Sequence, residues 1–231
     1  SNTVTTLGAN AECAGTPDRF QLTIYEMGIC TSHPLSGNQN AKSVSLSSCV
    51  STMSRSTAGV SGDLGGSSSF NLPGAVTRPP NGTYPYAYIV VGNTFGLKGS
   101  YKLQGGDTYY STSDGGVNTT GPAVNHDETI DSFDNPFDAE WGTDDSSPQT
   151  VSGGGSVQAL LLSNHENYTR ATGGDVTHLF GAFTAPSGSE VVITDGTNGL
   201  SVELQVTNAG YTIVANGSGE PDEFGSGPFK P

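Results

Sequence analysis

Short runs in which apolar and polar residues alternate recur along the chain, and glycine and proline residues separate them. The clearest run is 19–30, where Phe20, Leu22 and Ile24 fall on one face of an extended chain and the residues between them on the other. No window keeps apolar residues at the 3.6-residue spacing of a helix for three turns. The pattern therefore predicts an all-β chain.

About ten or eleven such runs occur, with turn residues between them, which is typical of an antiparallel β-sandwich of the jelly-roll or prealbumin-like kind. The predicted strands are 19–30, 43–50, 68–72, 86–91, 95–103, 108–111, 157–162, 178–183, 190–194, 200–206 and 211–215. Because the turn-rich segment 195–199 joins 190–194 to 200–206, we expect these two strands to pair as a hairpin.

The segment 121–150 differs from the rest of the chain, because it is acidic, lacks Lys and Arg and has almost no strand pattern. We expect a long acidic loop that leaves a single sandwich domain, 13–231. Carboxylates suit Ca²⁺, although the spacing is not that of an EF-hand. The candidate ligands are Asp131, Asp134, Asp138, Glu140 and Asp144. The alternative is a solvated acidic loop held to the domain by its aromatic residues.

Trp141, the only tryptophan, lies in the same acidic segment. Together with Tyr109 and Tyr110 it could form a platform on which a sugar ring stacks. The simpler interpretation is that its ring anchors the acidic loop to the sandwich. Both interpretations stay open at this point.

The charge balance excludes several classes of function. Eight Lys and Arg residues against 22 Asp and Glu residues give a net charge of −14, which repels nucleic acid and anionic lipid. No apolar run approaches the roughly 18 residues that a membrane span needs. The chain also lacks a Walker A loop, a G-x-G-x-x-G loop, a G-x-S-x-G elbow and a zincin helix. We therefore expect neither an enzyme nor a cofactor, and Ca²⁺ is the candidate ion for the acidic segment.

The three cysteines, Cys13, Cys30 and Cys49, allow one disulfide. The extended chain from Pro17 to Cys30 separates Cys13 from Cys30 by far more than the roughly 7 Å that a bridge spans. Cys30–Cys49 and Cys13–Cys49 remain, and we predict Cys30–Cys49. Three reduced cysteines, or a zinc site that includes His33, are the alternatives.

The chain begins Ser1-Asn2-Thr3 and contains few lysines, which indicates an exported chain whose signal peptide has been removed, or a trimmed one. We expect a secreted protein at the cell surface or in the extracellular space. Glycosylation sequons occur at Asn81, Asn118, Asn167 and Asn216, in a number that chance alone explains.

The first twelve residues read as a separate N-terminal arm. Its segment 3–7 is apolar or β-branched and carries neither charge nor proline, so it is a suitable extra strand for the sheet edge of a neighbouring molecule. Val4 and Leu7 are the side chains expected to enter that neighbour. The alternative is an arm that pairs with its own domain.

A short motif adds a resemblance. Phe70-Asn71-Leu72-Pro73, followed by Pro80-Asn81-Gly82-Thr83-Tyr84 and the apolar run 87–91, resembles the lead-in of secreted prealbumin-like sandwiches. With the apolar arm and the low lysine content, the chain resembles extracellular fibre subunits of the TasA/camelysin and archaeal-thread kind. The resemblance implies polymerisation by strand donation and no catalytic residues. It covers about a tenth of the chain, and the acidic segment and the three cysteines depart from it.

These observations lead to one expectation and one alternative. The expectation is a structural subunit of an extracellular filament, whose partner is another copy of the same chain and which assembles by donor-strand complementation. The alternative is a secreted carbohydrate-binding module or a Ca²⁺-dependent adhesin centred on Trp141 and the acidic loop, with glycans as its partners.

Overall fold

The structure is a computed structural model. It describes residues 7–9, 11–37, 42–53, 56–65, 71–72, 78–104, 106–135, 140–143, 148–150, 155–202, 204 and 206–226, without the side chains of 134, 135, 140–143 and 149. Within these residues the chain is all-β, as the sequence predicts, with one short 3-10 helix at Gly173–Asp175. None of the described residues belongs to a helix with the length and apolar character needed to cross a bilayer.

The strands are Glu12–Gly15 (β1), Arg19–Cys30 (β2), Leu35–Ser36 (β3), Ser43–Val44 (β4), Cys49–Met53 (β5), Val60–Asp63 (β6), Gly82–Tyr84 (β7), Tyr86–Gly92 (β8), Thr94–Lys98 (β9), Ser100–Lys102 (β10), Thr108–Ser111 (β11), Val117–Asn118 (β12), His126–Thr129 (β13), Phe133–Asn135 (β14), Glu140–Thr143 (β15), Gln149–Thr150 (β16), Ser156–Asn164 (β17), Thr169–Arg170 (β18), His178–Thr184 (β19), Val191–Ile193 (β20), Tyr211–Ala215 (β21) and Pro221–Ser226 (β22).

An antiparallel sheet of ten described strands forms the centre of the fold. Seven of them follow the order β13-β9-β2-β8-β19-β17-β16, β18 also pairs with β17, and β5 and β6 also pair with β2. The long strand β2 pairs along one edge with β8 and β9, and along the other with β5 and β6. Asn93 lies between β8, which pairs with β19, and β9, which pairs with β13. Its side chain donates hydrogen bonds to the carbonyl oxygens of Ile130, just after β13, and Val176, just before β19, at 3.2 and 2.9 Å. Asn93 therefore connects the chain next to β13 with the chain next to β19.

Both faces of the central sheet are buried. Alternate residues of β8 belong to two buried clusters on opposite faces of the sheet. Ile89 and Val91 belong to the main core cluster, and Tyr88 and Val90 belong to the second core cluster. Strands β17 and β19 follow the same rule. A strand that is covered on both faces reads as a continuous apolar run, which explains why 87–91 and 159–162 lack the usual alternation.

A smaller sheet, β1-β21-β22, covers one face of the central sheet. Its Tyr211, Ile213 and Phe224 belong to the same buried cluster as Phe20 and Leu97 of the central sheet. The second core cluster, on the opposite face, is covered by the hairpin β3-β4 and by the turn that carries Tyr168. The molecule is therefore sandwich-like, as predicted, with an additional cover over the second face.

The predicted disulfide is confirmed. Cys30 and Cys49 are directly opposite each other in the pairing of β2 with β5, and their sulfur atoms are bonded. Cys13, in β1, is free and partly buried.

The predicted hairpin is wrong. Strand β20 pairs with β7, so that Val191 lies opposite Tyr84, and the described residues of 200–206 belong to no strand. The pairing partner of β20 is thus more than 100 residues away in the chain, where a local turn signal gives no information about it.

The segment 121–150 is richer in strands than the sequence indicates. It contains β13, which extends the central sheet through β9, and the separate hairpin β14-β15. The strands β13, β14 and β15 contain charged residues and no apolar alternation. This is because β13 is an edge strand of the central sheet, and β14 and β15 pair only with each other among the described strands.

Candidate assembly groove

An apolar groove of about 380 Å³ lies between the central sheet and the segment that follows β20. Its floor consists of central-sheet side chains, among them Met27, Ile89 and Phe183. Tyr84 and Val191, from the pair β7-β20, form one wall. The volume is in the range of ligand pockets, about 300–1,000 Å³. It is large enough to receive several aliphatic side chains.

The rim of the groove is the most exposed apolar surface of the described chain. Leu200, Val202 and Leu204 line the rim, and the first two are 43% and 54% exposed. The other two large exposed apolar side chains among the described residues, Val192 and Val124, do not line the groove. Val192 follows the wall residue Val191 in β20, so its side chain points to the opposite face of that strand. Because single exposed apolar residues are ordinary and contiguous ones are not, this cluster indicates an interaction surface.

The rim segment has the sequence of a strand but lacks the pairing of one. Among the described residues of 200–206, no backbone hydrogen bond joins 200–202 or 204 to another described residue. Val202, Leu204 and Val206 nevertheless keep the period-two spacing of a strand. An unpaired strand-type edge is a template for another extended chain.

The turn before the rim is firmly held. Arg78 donates to the carbonyl oxygens of Thr194 and Thr197, and Asn81 donates to the carboxylate of Asp195 at 2.6 Å. The Thr194 amide also bonds the hydroxyl of Thr197 at 3.0 Å. The path of the chain into the rim segment is therefore fixed. Of the rim residues, only Val206 bonds through its backbone to another described residue, accepting at its carbonyl oxygen from the amides of Ala209 and Gly210.

The described residues that line the groove carry no charge, and their polar groups are the hydroxyls of Ser, Thr and Tyr. Among these described lining residues there is no carboxylate, imidazole, amine or thiol. What it can do is remove apolar surface from water, which contributes about 25 cal/mol for each Å² buried.

The start of the chain is attached to its own domain at Leu7. The Leu7 amide donates to the carbonyl oxygen of Gly219 at 2.7 Å, and the side chain packs on the main core cluster. Farther along, the Ala215 amide donates to Ala11, and β1 pairs with β21. In the single chain Leu7 is thus attached to its own domain, and Val4 lies outside the described residues.

The acidic candidates are only partly described. Asp131 is exposed, and its carboxylate accepts a hydrogen bond from the Ser132 hydroxyl at 3.2 Å. The hairpin β14-β15 places Asp134 opposite Trp141, and Glu140 opposite the next residue, Asn135. Asp138 and Asp144 lie outside the described residues. Within the described part of the chain, no three His, Cys, Asp or Glu side chains are grouped so that they could hold a metal ion.

Comparison of the chain with known proteins gives no match from which a role for the groove could be inferred. No protein-family model, no curated protein and no solved structure matches this chain.

Proposed function

We propose that this protein is a structural subunit of an extracellular filament that assembles by donor-strand complementation. The segment 1–6 of one copy, with Val4 as its main apolar side chain, lies along the rim 200–206 of the next copy. The observation that carries this proposal is an apolar groove whose described lining is uncharged, beside a strand-type rim in which 200–202 and 204 make no backbone hydrogen bond to another described residue.

The first six residues suit this groove in length and chemistry. Their side chains, from Ser1 to Thr6, include no charged group and no proline. Fully extended they reach about 20 Å, enough to run the length of the rim. They precede the anchored Leu7, so a donated strand remains attached to a fixed point of its own domain.

Charge supports an apolar contact between copies. Each chain carries a net charge of −14, so two copies repel each other at long range. The segment 1–6 and the described residues that line the groove are uncharged, so apart from Glu203 of the rim segment itself this contact takes no carboxylate out of water.

Hydrogen bonds alone do not stabilise the added strand. Each new backbone hydrogen bond contributes about 1 kcal/mol net, which is close to the cost of ordering one residue. Burying an apolar side chain such as that of Val4 adds about 1.5–3 kcal/mol. The groove is therefore essential to the proposal, since an open sheet edge without it gives little net affinity.

The disulfide Cys30–Cys49 fits an oxidising compartment, in agreement with assembly outside the cell. The alternative function, a glycan-binding or Ca²⁺-dependent adhesin centred on Trp141, depends on side chains outside the described residues. No described contact favours it over the groove.

The test compares four versions of the full chain by electron microscopy and light scattering. Wild type is expected to form ordered polymers. Deletion of residues 1–6 removes the donor, and Val202→Asp places a charge on the acceptor rim, so both are expected to yield monomers. Val124→Asp is the matched control, because Val124 is 45% exposed, close to the 54% of Val202, but lies away from the groove.

Two further results complete the test. Mixing the 1–6 deletion variant with the Val202→Asp variant is expected to give short heterodimers, because one still supplies a groove and the other still supplies a strand. Polymers that persist after the deletion, or a wild type that remains monomeric at high concentration, would refute the proposal.

A further inference from the structure

Three aromatic rings from distant parts of the chain meet beside the second core cluster. His165 lies in the turn between β17 and β18, His178 is the first residue of β19, and Tyr25 lies at an irregularity in the pairing of β2 with β8. The ring centroids of His165 and His178 are 4.4 Å apart, and that of Tyr25 is 5.0 Å from the first and 4.4 Å from the second.

Both imidazoles present an unused nitrogen. In the described part of the chain, four buried side-chain nitrogen or oxygen atoms lack a hydrogen-bond partner, and all four belong to histidines. Two of them are the Nε2 atoms of His165 and His178. Buried polar atoms in native structures are almost always satisfied, so two adjacent unsatisfied ones require an explanation.

The hydrogen bonds around His178 determine which nitrogen carries its proton. Nδ1 lies 2.7 Å from the Thr177 hydroxyl, and that hydroxyl lies 3.0 Å from the carbonyl oxygen of Ser163. A carbonyl oxygen can only accept, so the hydroxyl donates to Ser163 and in turn accepts from Nδ1–H. The lone pair of the neutral ring is then on Nε2. A histidine whose Nδ1–H is fixed in this way is arranged as a metal ligand.

His165 is held just as firmly by its turn. The Asn164 carboxamide oxygen accepts the amide N–H groups of Glu166 and Asn167, at 2.7 and 3.3 Å. Tyr168 closes the turn with a φ of 55°, in the left-handed region. His165 itself is only 7% exposed, while Glu166 and Asn167 are exposed. The ring is therefore buried although the next two residues of the turn reach solvent.

We propose that His165 and His178 bind a divalent transition-metal ion of the class that prefers imidazole nitrogen, such as Zn²⁺, Ni²⁺ or Cu²⁺. The Nε2 atom of each ring is a ligand, and water completes the coordination. Imidazole suits these ions, whereas Ca²⁺ and Mg²⁺ prefer oxygen.

The number of protein ligands sets the expected affinity. No third His, Cys, Asp or Glu joins the pair among the described residues. A site with two protein ligands binds less tightly than a structural zinc site with four, so we expect micromolar affinity. The site is separate from the assembly groove, and it does not depend on the proposed function.

The first experiment is calorimetric titration of the metal-stripped full chain with ZnCl₂ and with NiCl₂. Wild type is expected to bind one ion, and His165→Gln and His178→Gln are each expected to weaken binding at least tenfold. His33→Gln is the matched control, because the Nδ1 atom of His33 hydrogen-bonds within its own loop, and it is expected to bind like wild type. Absence of binding by wild type, or unchanged binding by both variants, overturns the proposal.

A second experiment needs no variant and so does not depend on variant folding. Histidine-ring NMR signals report the environment of each imidazole whether or not it is exposed. Zn²⁺ is expected to shift the ring signals of His165 and His178 and to leave those of His33 unchanged, and CaCl₂ is expected to shift none of them. Ring signals of His165 and His178 that are the same with and without Zn²⁺ overturn the proposal.

Discussion

The hydroxyl of Tyr88 donates a hydrogen bond to the buried carboxylate of Glu26, with 2.9 Å between Oη and Oε1. Tyr168 donates to the other carboxylate oxygen, also at 2.9 Å, and Glu26 is only 5% exposed. Burial, and then the charge of Glu26, raises the pKa of Tyr88 far above its ordinary value, so the phenol remains a donor. A buried acid is thus compensated by two tyrosines, both of which pack against Phe180.

Removing one of these donors is expected to destabilise the fold. Tyr88→Phe keeps the ring, which stacks on Phe180, but removes one hydrogen bond from the buried carboxylate. We expect a loss of about 1–3 kcal/mol in the free energy of unfolding, measured by urea denaturation. Tyr86→Phe is the control, because Tyr86 is partly buried and packs edge-on against His33, and it should change stability by less than about 0.5 kcal/mol. Equal effects of the two substitutions would contradict this account.

The disulfide is expected to contribute a measurable part of the stability. Cys30 and Cys49 are 19 residues apart in sequence, and closing a loop of that length removes about 3 kcal/mol of chain entropy from the unfolded state. The double variant Cys30→Ala/Cys49→Ala should lose roughly this amount in urea denaturation, and reduction of wild type should give a similar loss. Cys13→Ala leaves the bridge intact and should respond to reduction as wild type does. A wild type that is equally stable with and without reductant would disprove the assignment.

Much of the central sheet is predictable from the sequence, because its strands carry strong local patterns. The predicted boundaries 19–30, 86–91 and 178–183 agree within one residue with β2, β8 and β19. The failures occur where pairing is non-local. The apolar alternation of 200–206 predicts a strand, but a strand also needs a partner, and β20 is already paired with β7.

The candidate sites were harder to predict for the same reason. The rim residues are visible in the sequence as a strand pattern, but the groove exists only because β7 and β20 are brought together above β2, β8 and β19. The sequence does not predict the histidine pair. His165 begins the connection from β17 to β19 and His178 follows its end, and the residues between them form no metal-binding motif. Their mutual proximity, and the contact with Tyr25, follow from sheet order.

The anchoring of the N-terminal arm at Leu7 can be tested without any assembly. Leu7→Ala removes part of a side chain packed on the main core cluster and is expected to cost about 1–2 kcal/mol of unfolding free energy. Gly219→Ala should act in the same direction, because Gly219 has a φ of 79° and an added Cβ would collide with the Leu7 carbonyl oxygen. Val124→Ala, at a site 45% exposed, should change stability by less than about 0.5 kcal/mol. If Leu7→Ala is equally neutral, the arm is not anchored there.

Glu128 gives the fold a pH dependence whose sign is set by burial. Burial raises the pKa of its carboxyl and nearby Glu223 adds to the increase, while the Ser226 amide, which bonds the carboxylate, and nearby His126 oppose it. The native state therefore holds this proton more tightly than the unfolded chain does. The stability from this group is complete below the ordinary glutamate pKa of about 4.3, and it is lost as pH rises through the raised value. Glu128→Gln keeps an acceptor for Ser226 and removes the titration, so its unfolding midpoint in urea should fall less than that of wild type between pH 4 and pH 7. Glu220→Gln, at an exposed position, is the control, and its urea midpoint should depend on pH as that of wild type does. If the midpoint of Glu128→Gln also follows wild type, the Glu128 carboxyl has the same pKa in the native and the unfolded chain.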